Sequence, residues 1–194
     1  ISQSVEKING MSSRLSLLSQ KLEIVPAETD LNGLVQETIL EVGKYVGTPI
    51  SFDRGNVPLF PMDREQMRKV IENLLINASD AVVAAGRGRQ RGATPDRLPP
   101  NAGDVPVADG EIAVAARNRG NWAEISVRDN GCGMSRAFIE GSLFKPFRTT
   151  KKKGMGIGLY HCKTIVEAHG GRIEVESEEG FGTTFRVLLP INRG

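Results

Sequence analysis

Glycine is spread unevenly along this chain, and two tight clusters constrain the fold most. They are Asp129-Asn130-Gly131-Cys132-Gly133-Met134 and Gly154-Met155-Gly156-Ile157-Gly158-Leu159, in that order. Each lets the backbone turn, or approach another group, where a side chain would intrude. Upstream lies Glu72 to Val82 (ENLLINASDAV), an apolar helical pattern interrupted by Asn73 and Asn77. Either box alone reads as a turn. The three segments together read as a pocket with an acidic hydrogen-bond acceptor, a hard-metal ligand and a backbone cradle of phosphate size. That is a nucleotide site with neither Walker nor Rossmann spacing.

The periodicities around these segments give an order of elements. Asp30 is placed to cap a helix with Leu31, Leu34, Val35, Ile39 and Val42 on one side. Thr48 to Asp53 reads as a short strand. Asp63 and Gln66 open a long helix in the manner of a capping box, with Met67, Val70, Ile71, Leu74, Leu75, Ala78 and Val82 on its core side. Glu111 to Arg117 and Trp122 to Arg128 alternate as two antiparallel strands joined at Asn118 to Asn121. Leu159 to Ala168 is helical and closes at His169-Gly170-Gly171. Arg172 to Ser177 and Thr183 to Leu189 form a last hairpin. This order predicts an α/β two-layer sandwich, a mixed sheet covered by helices on one face.

Two stretches stand outside that pattern. Ile1, Val5, Ile8, Met11, Leu15, Leu18 and Leu22 step by four and three, a heptad seam that ends before Pro26. It reads either as an amphipathic helix on its own domain or as one strand of a helical dimer whose partner helices lie upstream or in a second chain. Gly86 to Gly110 is rich in Gly, Pro and Arg and shows no periodicity, so a solvated insertion is expected. Its arginines, Arg87, Arg89, Arg91 and Arg97, leave contact with nucleic acid or a partner as the alternative. With 39% apolar and 25% charged residues the chain supports one good core, and a net charge of +2 argues for no particular partner. No apolar run reaches the ~18 residues of a membrane span. Cys132 and Cys162 lack CxxC spacing, which favours a reduced, cytoplasmic setting.

Asn73, Asn77 and Asp80 fall at i, i+4 and i+7, on one helical face. Asn is a poor interior helix residue, so two of them need a reason: a carboxamide oxygen suits Mg2+, which takes few protein ligands. Surface or capping polarity is the other reading. Asp129 follows a strand and can accept from an exocyclic amine such as adenine N6, while Gly131 and Gly133 let the backbone approach a flat ring. The second box opens a helix, whose exposed amides bind phosphate, with Lys151, Lys152 and Lys153 just upstream. His169, at a helix C-terminus, is expected to carry a charge that the dipole favours.

In order, these segments resemble the boxes of the catalytic ATP-binding domain of sensor histidine kinases, a Bergerat-fold (GHKL) domain. Asn73 to Ala81 resembles the N box, Asp129 to Met134 the first glycine box, and Leu143-Phe144-Lys145-Pro146-Phe147 the F box. Gly154 to Leu159 resembles the second glycine box, and Gly182-Thr183-Thr184-Phe185 the closing strand. The likeness runs from about Asp30 to Pro190, with Gly86 to Gly110 foreign to it. Phe147-Arg148-Thr149-Thr150-Lys151 and the Asn77-to-Ala81 ending resemble nitrogen-regulator-like and exopolysaccharide-system kinases.

The resemblance implies roles by position. Asn77 holds Mg2+ at the phosphates of ATP; Asn73 contacts metal or phosphate; Asp80, Met134 and Leu159 line the nucleotide. Asp129 reads adenine N6, with Gly131, Gly133 and Thr183 in the same site. Phe144 to Lys153 form the lid; Gly154, Gly156 and Gly158 give it freedom, and Thr150 or Lys151 reaches the γ-phosphate. Related hydrolases carry a Glu where this chain has Asn73, so transfer is expected over hydrolysis. His161 and His169, the only histidines, are poorly placed as acceptors. Residues 1–25 are then the second helix of a cut dimerisation hairpin, and 30–192 the catalytic domain. The acceptor helix lies upstream, a response-regulator receiver domain takes the phosphoryl group, and the full-length protein is a homodimer. No nucleic acid or membrane contact is expected of this part, with room for an inner-membrane anchor elsewhere.

Overall fold

A computed structural model describes residues 22–92, 110–148 and 156–192. The heptad seam before Leu22, most of the insertion, and Thr150, Lys151 and Gly154 lie outside the described residues.

Five strands form the main sheet in the order β2 (Ile50–Asp53), β4 (Ile112–Arg119), β5 (Trp122–Asp129), β7 (Gly182–Pro190), β6 (Arg172–Glu178). The β2–β4 pair is parallel and the other three are antiparallel, so the sheet is mixed, as expected. The β4–β5 hairpin registers Arg119 against Trp122, which confines the turn to Gly120 and Asn121. Helices α1 (Leu31–Val42), α2 (Arg64–Gly92) and α4 (Gly158–Ala168) make the second layer. α2 crosses β4, β5 and β7, α4 lies on β6 and β7, and α1 packs on α2.

The core follows from alternation. Ile112, Val114 and Ala116 of β4, Ile125 and Val127 of β5, and Phe185 and Val187 of β7 turn inward. They meet Met67, Val70, Ile71, Leu74 and Leu75 of α2. Each Val, Leu, Ile, Met or Phe among them contributes about 1.5–3 kcal/mol relative to exposure. The outer face is polar and ion-paired: Arg117 with Asp53, Arg119 with Glu124 at 3.3 Å, and Arg186 with Glu176 at 2.7 Å.

Three short elements escape a reading by periodicity. β1 (Ala27–Thr29) and β3 (Phe60–Met62) form a separate antiparallel pair, and α3 (Arg136–Gly141) is a short helix capped by Ser135. Elements of this length span less than the window in which a period shows. The insertion begins later than composition suggests: α2 runs through Gly86 to Gly92. A helix already nucleated adds a bond per residue, which offsets the cost of about 1 kcal/mol per glycine.

The helix starts behave differently. Asp63 caps α2, its Oδ1 accepting the Gln66 N–H at 3.0 Å. Asp30 occupies the N-cap of α1 without a side-chain bond. Asp63 does more: its Oδ2 accepts the Val25 N–H at 2.9 Å, and its own N–H donates to His169 Nε2 at 3.0 Å. His169 ends α4 but is only 2% exposed. Its Nδ1 sits 2.7 Å from the Ile165 carbonyl. An amide N–H only donates, so Nε2 accepts and Nδ1 carries the proton. The expected cation at the helix end is therefore a neutral ring used as a buried bridge.

Candidate functional site

A cavity of about 720 Å³ opens between α2, α4 and the ends of β5 and β7. It gathers most of the residues singled out in sequence: Asn73, Asn77 and Asp80 from α2, Asp129, Gly133 and Met134, Gly156, Gly158 and Leu159, and Thr183. Gly131 and Phe144 are not in its lining. Phe144 packs partly buried against the core, with Lys163 Nζ 5.6 Å from its ring centre.

One end is built around Asp129, 5% exposed at the end of β5. Its Oδ1 accepts the Gly131 N–H at 2.9 Å. Burial pushes the carboxyl above the ordinary aspartate value, and amide bonds from Gly131 and Thr183 pull it part of the way back. Ser177, on the inward side of β6, ties the same corner together. Its Oγ accepts the Met134 N–H, donates to the Gly182 carbonyl and meets Thr183 Oγ1, each at 2.9 Å.

The glycines of the first box serve packing within the protein. A Cβ on Gly131 would lie 2.5 Å from the Ala81 carbonyl carbon. One on Gly133, where φ is +64°, would lie 1.9 Å from the Glu178 carbonyl oxygen. Close approach is the requirement, as read from sequence, and within the protein it is α2 and the end of β6 that come close.

The other end centres on Asn73 and Asn77. Asn77 Nδ2 donates to Asn73 Oδ1 at 2.9 Å, which points both carboxamides along one face of α2. Gly158 brings the first turn of α4 against them: a Cβ there would lie 2.5 Å from Asn73 Nδ2 and 2.6 Å from Oδ1. Glu72, the neighbouring carboxylate, is turned away and accepts from the Tyr45 hydroxyl at 3.0 Å. The described residues hold no cluster of three or more His, Cys, Asp or Glu around a point. A metal fitting this donor set is a hard ion taking few protein oxygens, which suits Mg2+ completed by phosphate and water.

Sequence reasoning missed several lining residues, Lys69 and Phe138 among them, while Leu143 and Arg148 come from the predicted F box and lid. Lys69 was within reach, one turn before Asn73 on the same face. Ser177 carried a fainter signal, a polar residue at an inward position of an alternating strand. Phe138 sits on the short helix that periodicity did not find.

This architecture recurs in solved structures. The catalytic domain of histidine kinase ThkA, nucleotide-free, superposes with a TM-score of 0.63 at 24% identity over 88% of this chain and 97% of that one. Full-length ShkA in complex with AMPPNP gives 0.69 at 20% identity over 99% of this chain and 36% of that one. At these identities the likeness is one of fold. In sequence, the signal transduction histidine-protein kinase AtoS of Escherichia coli (strain K12) is 32% identical over 97% of this chain. The alginate biosynthesis sensor protein KinB of Pseudomonas aeruginosa is 33% identical over 92%. The chain spans 28% of the length of AtoS and 27% of KinB. Fold and pocket define a nucleotide-binding α/β sandwich. The profile of the histidine kinase-, DNA gyrase B-, and HSP90-like ATPase family matches residues 62–193, and the chain belongs to that family of ATP-using domains.

Proposed function

We propose that residues 30–192 are the ATP-binding catalytic domain of a sensor histidine kinase. It transfers the γ-phosphoryl group of ATP to a histidine on a dimerisation helix of a homodimer, from which a response-regulator aspartate receives it. Residues 1–25 are assigned to the second helix of the dimerisation hairpin. The observation that carries the reading is the setting of position 73. Water activation needs a general base there, and the chain presents a carboxamide bonded to Asn77 while Glu72 is held by Tyr45. Transfer to a docked acceptor, which asks for positioning and charge neutralisation, suits this set.

In this reading Asp129 accepts from adenine N6, with Gly133 and Thr183 beside it, and Met134, Leu159 and Asp80 line the nucleotide. Asn77 holds Mg2+ and Asn73 supports it. The ion, when bound, neutralises charge on the phosphoryl oxygens. Gly154, Gly156 and Gly158 hinge a lid from Phe144 to Lys153, from which Thr150 or Lys151 reaches the γ-phosphate. His169 is buried with both ring nitrogens engaged, so it is no acceptor, and His161 belongs to the pocket wall.

The test is phosphotransfer from γ-labelled Mg-ATP with the acceptor hairpin of the full-length protein supplied separately. Label should reach the hairpin and not this chain, and Asn77→Ala should lower the rate about 100-fold. Label on this chain, or transfer indifferent to Asn77→Ala, refutes the reading. Steady-state hydrolysis faster than transfer would favour an ATPase of the chaperone or topoisomerase kind.

A further inference from the structure

Lys69 lines the pocket from α2, one turn before Asn73 and two before Asn77. At a rise of 1.5 Å per residue the three side chains follow one another at about 6 Å intervals along one face. The opposite end of that face is fixed, because the Cys132 N–H donates to the Ala81 carbonyl at 3.2 Å and holds the first glycine box there. The order along the helix is therefore the Asp129 corner, Asn77, Asn73, Lys69. A nucleotide with its base at Asp129 and its metal-bound phosphates at the two asparagines points its last phosphoryl group at Lys69.

The surroundings suit an anion. The Lys69 ammonium has only the neutral Gln66 Oε1 in reach, at 3.4 Å, among the described residues. The α2 carboxylates nearest in sequence are engaged elsewhere: Glu65 with Arg68 at 2.7 Å, and Glu72 with Tyr45. Across the pocket, His161 stands on the first turn of α4, where exposed amides add partial positive charge. Its ring titrates below the ordinary imidazole value, through partial burial first and the nearby Lys69 charge second. The two side chains are thus close enough to sense each other across the pocket.

We propose that Lys69 binds the oxygens of the terminal phosphoryl group, with His161 hydrogen-bonding the same group, and so makes the site prefer a nucleoside triphosphate to a diphosphate. The assignment rests on the nucleotide reading above and adds a γ-phosphate contact on the helix side, opposite the lid. The charge acts on a group that ATP has and ADP lacks, so its loss weakens one ligand and spares the other.

The experiment is calorimetric titration of Mg-ATP and Mg-ADP into wild type, Lys69→Met and Lys69→Arg. Methionine keeps the aliphatic stem, and Lys69 is exposed, so folding is undisturbed, as a thermal melt checks. Lys69→Met should weaken ATP about tenfold and leave ADP within about twofold, while Lys69→Arg keeps most of the preference. His161→Gln should show the same selectivity at about threefold. Equal loss for both nucleotides, or no change for either, overturns the assignment. If wild type binds neither nucleotide, the nucleotide reading itself falls and takes the role of Lys69 with it.

Discussion

The two ends of the pocket solve recognition in opposite ways. At the Asp129 corner the protein spends its own hydrogen bonds: a buried carboxylate, two backbone amides and a serine bridge are locked together before any ligand arrives. At the Asn73–Asn77 end the described residues supply an amide–amide bond, the first turn of α4 and the Lys69 ammonium, whose hydrogen-bond partner is the neutral Gln66. The first end is suited to selecting a neutral ring by shape and one acceptor. The second, in the reading proposed here, is the end that phosphate and metal would complete. Rigidity sits where the ligand must be recognised, and incompleteness sits where it must react.

The largest effect expected from breaking this contrast is at Asp129. Asp129→Asn should weaken ATP about 100-fold, because a charge-assisted buried acceptor is lost. Its pH dependence separates stability from binding. The folded-state value is raised, so folding favours the protonated form. The stability from this group is complete below the unfolded value and is lost as pH rises through the folded one. ATP affinity runs the other way, falling as pH drops through that same value, which lies above that of an exposed aspartate. Thermal melts and ATP titrations across pH should show both trends in wild type, and neither component in the variant.

Next in size is Gly158→Ala. A methyl group 2.5 Å from the Asn73 amide must push α4 or Asn73 aside, at a cost of about 1–3 kcal/mol. The melt should fall, and Mg2+ should lose much of its effect on ATP affinity. Ser177→Ala acts at the other end and should cost about 1 kcal/mol. It should weaken ATP and adenosine alike and leave the Mg2+ dependence intact. If both substitutions changed Mg2+ dependence equally, the two ends would not be separate.

The smallest effect is on thiol chemistry. Cys162 is 2% exposed and burial pushes its thiol up to about 12, so a thiol reagent near pH 8 should leave it unmodified. Cys132 is exposed at the pocket and should react. Bound ATP should slow that labelling several-fold, and no protection would place the nucleotide elsewhere.

Much of the frame is legible in the sequence because alternation and the helical repeat directly encode which side faces the core. The strands β4 to β7 and the helices α1 and α4 fall within a residue or two of expectation, while α2 runs past the expected start of the insertion. The pocket is legible for a similar reason: Asn73, Asn77 and Asp80 share a face by spacing alone. What spacing leaves out is contact between distant segments. Ser177 and Met134 are 43 positions apart, and Asp63 and His169 are 106 apart. No local pattern records either bond, so the serine went unnoticed and the histidine was assigned a charge by its helix end instead of its neighbours. The first glycine box shows a subtler gap. That a side chain is excluded can be read in sequence, whereas what excludes it cannot.

The far end of α2 has a consequence for how this domain can be altered. Gly110 returns the chain against Val82, where an added Cβ would lie 1.9 Å from the valine, yet α2 continues to Gly92. The helix thus overshoots its re-entry point by about 15 Å. The sheet register is set from Gly110 onward, and closing a longer loop costs only about 0.6 kcal/mol per doubling. A change in the length of chain between Gly92 and Gly110, shorter or longer, should therefore cost the sheet and the pocket little in a thermal melt or an ATP titration.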